Sequence, residues 1–112
     1  MNFRKLDVYQ AALRLLPIAS EIADRLPPRN ASLADQLRRA SLSIPLNIAE
    51  GSGKTSGPDR RRFYAIARGS AMECGAVIDA CQALSVIESS FADDANEQLG
   101  SIVRMLSKMC LQ

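Results

Sequence analysis

Between Leu33 and Glu73, two apolar patterns of helical period meet across a single Gly/Ser/Thr break, GSGKTSG at residues 51–57. Two long helical patterns separated by so short a break must fold back on each other as a hairpin. On a helical wheel, Leu33, Leu37, Ile44 and Ile48 cluster on one face, with Ala40 and Ser41 beside them. Gln36, Arg39, Ser43, Asn47 and Glu50 form a polar stripe on one flank. The other flank should be charged but carries Leu42, Leu46 and Ala49. A helix that is apolar on two sides is usually buried on two sides. Pro45 bends this helix and frees the carbonyl of Ser41.

The rest of the chain supplies the hairpin's partners. Asp7 starts a helix to Leu26 with an apolar stripe of Val8, Ala11, Ala12, Leu15, Ala19, Ile22, Ala23 and Leu26. Pro17 lies inside it and predicts a bend near Leu13–Leu16. Pro27 and Pro28 end it, and Ser32 with Asp35 has the form of a capping box. The third helix opens with Pro58 and Asp59, both suited to a helix N-terminus. Its core stripe reads Phe63, Ile66, Ala67, Ser70, Cys74, Val77, Ile78, Cys81 and Leu84. Its far side carries Ala65, Gly69, Met72, Ala76, Ala80 and Ala83, and the small side chains there would let another helix approach closely. The fourth helix, capped at Ser89 or Ser90, has Phe91, Ala95, Leu99, Ile102, Val103, Leu106 and Met109 inward. The expected fold is all-α: an antiparallel up-down-up-down four-helix bundle with helices at about 7–26, 32–52, 58–86 and 90–110, one domain over residues 1–112.

Composition narrows the function. Aromatics make up 4% of residues, so Ala, Leu and Ile fill the core, which favours helix-on-helix packing. No apolar run approaches the roughly 20 residues of a membrane span, and MNFRKLDVYQ lacks a signal segment, so the expected compartment is the cytoplasm. The chain has no His, and its three Cys show no metal-ligand pattern, so the expectation is no enzyme, no catalytic residues, no metal and no cofactor. Cys74 and Cys81, seven apart, read as small buried apolar groups. GSGKTSG is not a phosphate loop: the Walker pattern would put its first Gly at Asn47 or Ile48, and the segment follows a helix rather than a strand. It reads as a mobile connection.

Charge is uneven. Residues 1–68 carry twelve Lys/Arg against six Asp/Glu, whereas residues 69–112 carry two against six. Such asymmetry suits an anionic partner, self-association through complementary patches, or an ordinary solvated surface. Lys54, Arg60, Arg61, Arg62 and Arg68 form the candidate nucleic-acid or anion site, since clustered Arg neutralises phosphates. Three Arg at a helix N-terminus oppose its dipole, so something else must favour them. A hairpin turning near residues 53–55 would bring Arg39 to Glu73 and Glu50 to Arg61 or Arg62, with Ser43 and Asn47 completing a polar network that fixes register. Leu42, Leu46 and Ala49, with Ala65, Gly69, Met72 and Ala76, form the candidate subunit interface.

DQLRRASLSIPLNIAEGSGK (Asp35–Lys54), RRFYAIARGSAMEC (Arg61–Cys74) and the opening KLDVYQAAL (Lys5–Leu13) resemble the four-helix-bundle proteins of the 23S ribosomal RNA intervening-sequence (S23) family. That family's first helix has no Pro where Pro17 stands. The resemblance implies a cytosolic bundle that assembles into a ring-like homopentamer. It also implies likeness to the accessory variability determinant of diversity-generating retroelements, a basic pentameric barrel that binds a reverse transcriptase and nucleic acid. It supplies no catalytic residues. Two expectations remain open: a non-enzymatic homo-oligomer binding RNA, DNA or a nucleic-acid enzyme through its arginines, or a protein-binding, self-assembling scaffold with no nucleic-acid role.

Overall fold

A computed structural model describes residues 1–111. Four α-helices follow one another with short connections: α1 (Asp7–Arg25), α2 (Ala31–Ser52), α3 (Gly57–Ala83) and α4 (Ser89–Cys110). Two short 3-10 turns, Asn2–Lys5 and Pro28–Asn30, precede α1 and α2. No strand occurs among the described residues. Helices adjacent in sequence pack on each other and α4 returns to α1, while the backbones of the diagonal pairs stay more than 8 Å apart, Cα to Cα. The result is an antiparallel four-helix bundle, 44 × 22 × 21 Å.

The strongly amphipathic outer helices match expectation closely. Every residue of the expected α1 stripe is buried. In α4, Ala95, Leu99, Ile102 and Leu106 are buried, while Phe91, Val103 and Met109 are half-buried. Pro17 and Pro45 both sit within unbroken helices. Leu37, Ile44 and Ile48 of α2 are fully buried, whereas Leu42 and Leu46 stay 49% and 59% exposed.

The core face of α3 is rotated from the expected one. Tyr64 and Ala71 join Ala67, Cys74, Val77, Ile78 and Cys81 inside. Phe63 and Ser70 are only half-buried, and Ile66 and Leu84 are 43% and 56% exposed. Two features of α2 draw Tyr64 inward. Its hydroxyl lies 3.1 Å from Ser52 Oγ, so a buried phenol keeps a hydrogen-bond partner. Its ring lies against Gly51, where an added Cβ would stand 2.9 Å from Tyr64 Cε1 and 3.0 Å from Phe63 Cβ. Only glycine permits that approach. Burial, and secondarily the Glu73 carboxylate, pushes the Cys74 thiol up to about 12. Burial also raises Cys81.

The helix ends differ in detail from expectation. Ser32 caps nothing: α2 starts one residue earlier, on the Pro28–Asn30 turn, and Asp35 meets Arg38 at 3.6 Å. α1 and α4 also start without a side-chain cap; Leu6 and Glu88 occupy those positions. α3 stops at Ala83, three residues short of the expected end. Ser85 there adopts a left-handed φ of 58°, with Val86 N–H donating to Cys81 O (3.0 Å) and Ser85 N–H to Gln82 O (3.0 Å). This is a Schellman cap with serine at the position glycine usually fills.

Candidate nucleic-acid interface

The break between α2 and α3 is an organised turn rather than a loose connection. Gly51 and Ser52 remain helical, and Gly57 opens α3, leaving four residues between. Gly53 N–H donates to Ala49 O and Glu50 O, and Lys54 N–H donates to Gly51 O at 3.0 Å. Ser56 Oγ accepts from Asp59 N–H at 3.2 Å, capping α3. Arg60 Nη1 donates to both Lys54 O and Thr55 O at 3.2 Å. A cation at this helix N-terminus thus binds the turn's own carbonyls, which offsets the unfavourable dipole.

The five expected cations divide three ways. Lys54 Nζ and Arg62 Cζ lie 5.0 and 4.6 Å from the centre of the half-buried Phe63 ring, which positions both by cation–π attraction. Arg60 is occupied with the turn. Arg61 folds back along the first turn of its own helix, and Arg68 reaches α4. Arg61 Nη1 lies 3.0 Å from where a Cβ on Gly57 would stand. Arg68 Nε donates to Ser107 Oγ of α4 at 2.8 Å. Arg68 therefore sits at the α3–α4 seam, held by the same end of α4 that carries Lys108.

The polar network forms with different partners. Ser43 Oγ lies 2.9 Å from Ser70 Oγ, and Asn47 Nδ2 donates to Ser43 O and Oγ at 2.8 and 2.9 Å. Arg39 and Glu73 are exposed, and no ion pair joins them. Glu50 meets Lys54 at 3.5 Å instead of an arginine of α3. The register explains the change of partner at Glu50. A turn near residues 53–55 would set Ser43 opposite residue 65, but Ser43 faces Ser70 and Ser52 faces Tyr64. The first turn of α3 therefore overhangs the end of α2, carrying Asp59–Arg62 past Glu50. The charged pairs sit on the hairpin's outer flank, where water competes with them.

Antiparallel topology adds cations that are remote in sequence. The start of α1, the end of α2, the start of α3 and the end of α4 share one tip of the bundle. The first 3-10 turn packs on α2, and Met1, Asn2 and Phe3 line a shallow pocket with Ala49, Ser52 and Gly53; Ala49 is half-buried. Gln10 Nε2 pins it by donating to Arg4 O at 2.9 Å, and Phe3 stacks edge-on against Tyr9 at 4.9 Å. Arg4 and Lys5 are thereby held on the tip, and Lys108 reaches it from the last turn of α4. The tip segments, residues 1–10, 49–62 and 104–111, carry eight Lys/Arg against three Asp/Glu. The opposite end, residues 21–35 and 79–97, carries two against eight. Arg4, Lys5 and Lys108 were not legible as site residues; only the basic character of MNFRK hinted at two of them.

The candidate interface residues Leu42 and Leu46 lie on the outward side of α2, and Ala65, Gly69, Met72 and Ala76 are exposed on α3. The α3 face borders an open groove of about 530 Å³ between α3 and α4, lined by Ala71, Gly75, Leu99, Gly100 and Val103 among others. No group of three or more His, Cys, Asp or Glu able to hold a metal occurs among the described residues. No helix among them is long and apolar enough to cross a membrane.

These features define an all-helical bundle with one basic tip, one acidic end and two exposed apolar faces. The chain belongs to the 23S rRNA-intervening sequence protein family, whose family model matches residues 4–108. The match takes in all four helices almost completely. Comparison with curated proteins finds no match.

Proposed function

We propose that this protein is a non-enzymatic, self-associating bundle of the cytoplasm that binds nucleic acid, or an enzyme working on nucleic acid, through its basic tip. The observation that carries the reading is the convergence there of Arg4, Lys5, Lys54, Arg60–Arg62 and Lys108 from segments far apart in the chain. Arg62 and Lys54 are positioned by Phe63, and Arg4 lies 5.7 Å from the Phe3 ring centre. Both rings are engaged by cations, which favours phosphate contact over base stacking. Self-association is supported by Leu42, Leu46, Ile66 and Met72, each exposed by more than 40%. The homopentamer implied by the resemblance remains part of this proposal.

Titrating RNA and DNA oligonucleotides at increasing salt tests the reading. Affinity should fall steeply with salt, and each phosphate contact removed should flatten the slope by about 0.9 for duplex DNA. Replacing Lys54 and Arg62 with Ala, or Arg4 and Lys5 with Ala, should weaken binding without sequence preference. An absence of binding at low salt would remove the nucleic-acid role. Association that persisted without it would leave the self-assembling scaffold, the reading that the exposed leucines favour by themselves.

A further inference from the structure

We infer that a second copy of this chain lays the outward face of its α2 along the open groove between α3 and α4, the two bundles side by side with their basic tips at the same end. The inference rests on the self-association in the proposal above and not on anion binding. Read from the tip downward, the outward face of α2 runs Glu50, Leu46, Leu42, Arg39, at steps of four, four and three residues. Read the same way, the side of α3 that borders the groove runs Arg68, Met72, Ala76, Asp79, at the same three steps. Helices laid alongside each other rise equally per residue. A single register therefore sets Glu50 of one copy on Arg68 of the other, Leu46 on Met72, Leu42 on Ala76 and Arg39 on Asp79. Opposite charges meet at both ends, and apolar side chains meet between them. Turning one copy end for end sets Glu50 towards Asp79 and Arg39 towards Arg68, where like charges repel.

Both surfaces are open in the single chain. Leu42 and Leu46 are 49% and 59% exposed, because the bundle's own core uses the face of Leu37, Ile44 and Ile48. Met72, Ala76 and Asp79 line the groove, and the short side chain of Ala76 lets a leucine come close. Arg39 and Asp79 are exposed and make no hydrogen bond or ion pair among the described residues. Ser107 holds Arg68 through Nε, which leaves the two Nη groups for a carboxylate. The contact is heterologous: each copy offers one α2 face and one groove, so it repeats about an axis and closes as a ring. It fixes no copy number by itself, and a ring of five satisfies it. Basic tips gathered on one rim repel little, since a bundle cross-section of 22 × 21 Å separates neighbours by more than the screening length of about 8 Å at physiological salt.

Disulfide trapping of the full chain in a Cys110→Ser background tests the pairing, with assembly followed by sedimentation velocity and helical fold by circular dichroism. Leu42→Cys combined with Ala76→Cys should, on oxidation, give a ladder of linked chains on a denaturing gel, and neither substitution alone should link chains. Arg39→Asp and Asp79→Arg should each raise the concentration needed for assembly about tenfold, and the double variant Arg39→Asp/Asp79→Arg should restore it to within a few-fold of the parent. A monomeric parent protein overturns both this contact and the self-association reading. In a parent that assembles, an absent ladder, linked pairs from Leu42→Cys alone, or a charge-swapped double variant weaker than both single ones overturns this contact alone.

Discussion

Gly51 and Gly75 are both helical glycines facing a neighbouring helix, yet a methyl group would meet opposite receptions at the two. At Gly51 it would enter the van der Waals space of Tyr64 and Phe63; at Gly75 nothing lies within 4 Å. The α2–α3 seam is closed by that contact, by the Ser52–Tyr64 hydrogen bond and by the Ser43–Ser70–Asn47 cluster. The α3–α4 seam has a groove over part of its length and a link from Arg68 to Ser107. The first seam sets the hairpin's register and so holds the basic tip. The second leaves surface over for other contacts.

Ionising Cys74 should produce the largest effect, because this fully buried residue of α3 lies in the core that the two seams share. Its folded pKa is raised from 9.0 to about 12, so the stabilisation is intact below pH 9. Above that the unfolded chain releases its proton first, and stability falls until the pH reaches about 12, by up to about 4 kcal/mol. Urea midpoints measured against rising alkaline pH should fall less steeply in Cys74→Ala. Gly51→Ala comes next. Overpacking against the Tyr64 ring and Phe63 Cβ costs about 2–3 kcal/mol and helix propensity returns about 1 kcal/mol, for a net loss of about 1–2 kcal/mol by chemical denaturation. An unchanged midpoint would mean that the α2–α3 seam yields as readily as its neighbour. Ser43→Ala should cost about 1 kcal/mol by leaving Ser70 and Asn47 short of a partner. Gly75→Ala should have the smallest effect and the opposite sign, a gain of about 0.5–1 kcal/mol from helix propensity alone. A loss there would show that the open groove closes in solution.

The helices legible from sequence were those with one apolar face. α1 and α4 place their hydrophobic residues in narrow stripes, and their buried residues follow directly. α3 carries apolar or small residues nearly all round, so its period does not define the inward direction. What turns it is the fit of Tyr64 on Gly51, a contact between residues thirteen apart that no periodicity encodes. The arginine run was visible as a cluster, but its division of labour was not. Arg60 binds carbonyls of a turn whose shape depends on where α2 ends, and Arg68 meets a residue 39 positions away. Arg4, Lys5 and Lys108 join the tip only because the bundle's up-and-down path brings both chain ends to it.

A rod of 44 Å with a cross-section of 22 × 21 Å, cationic at one tip, would feel a torque near a polyanion and, in the proposed nucleic-acid role, would stand on end. Held that way, one copy would cover a strip no wider than its own cross-section, about six base pairs of duplex at 3.4 Å each. The long sides of the rod would stay clear of the strand.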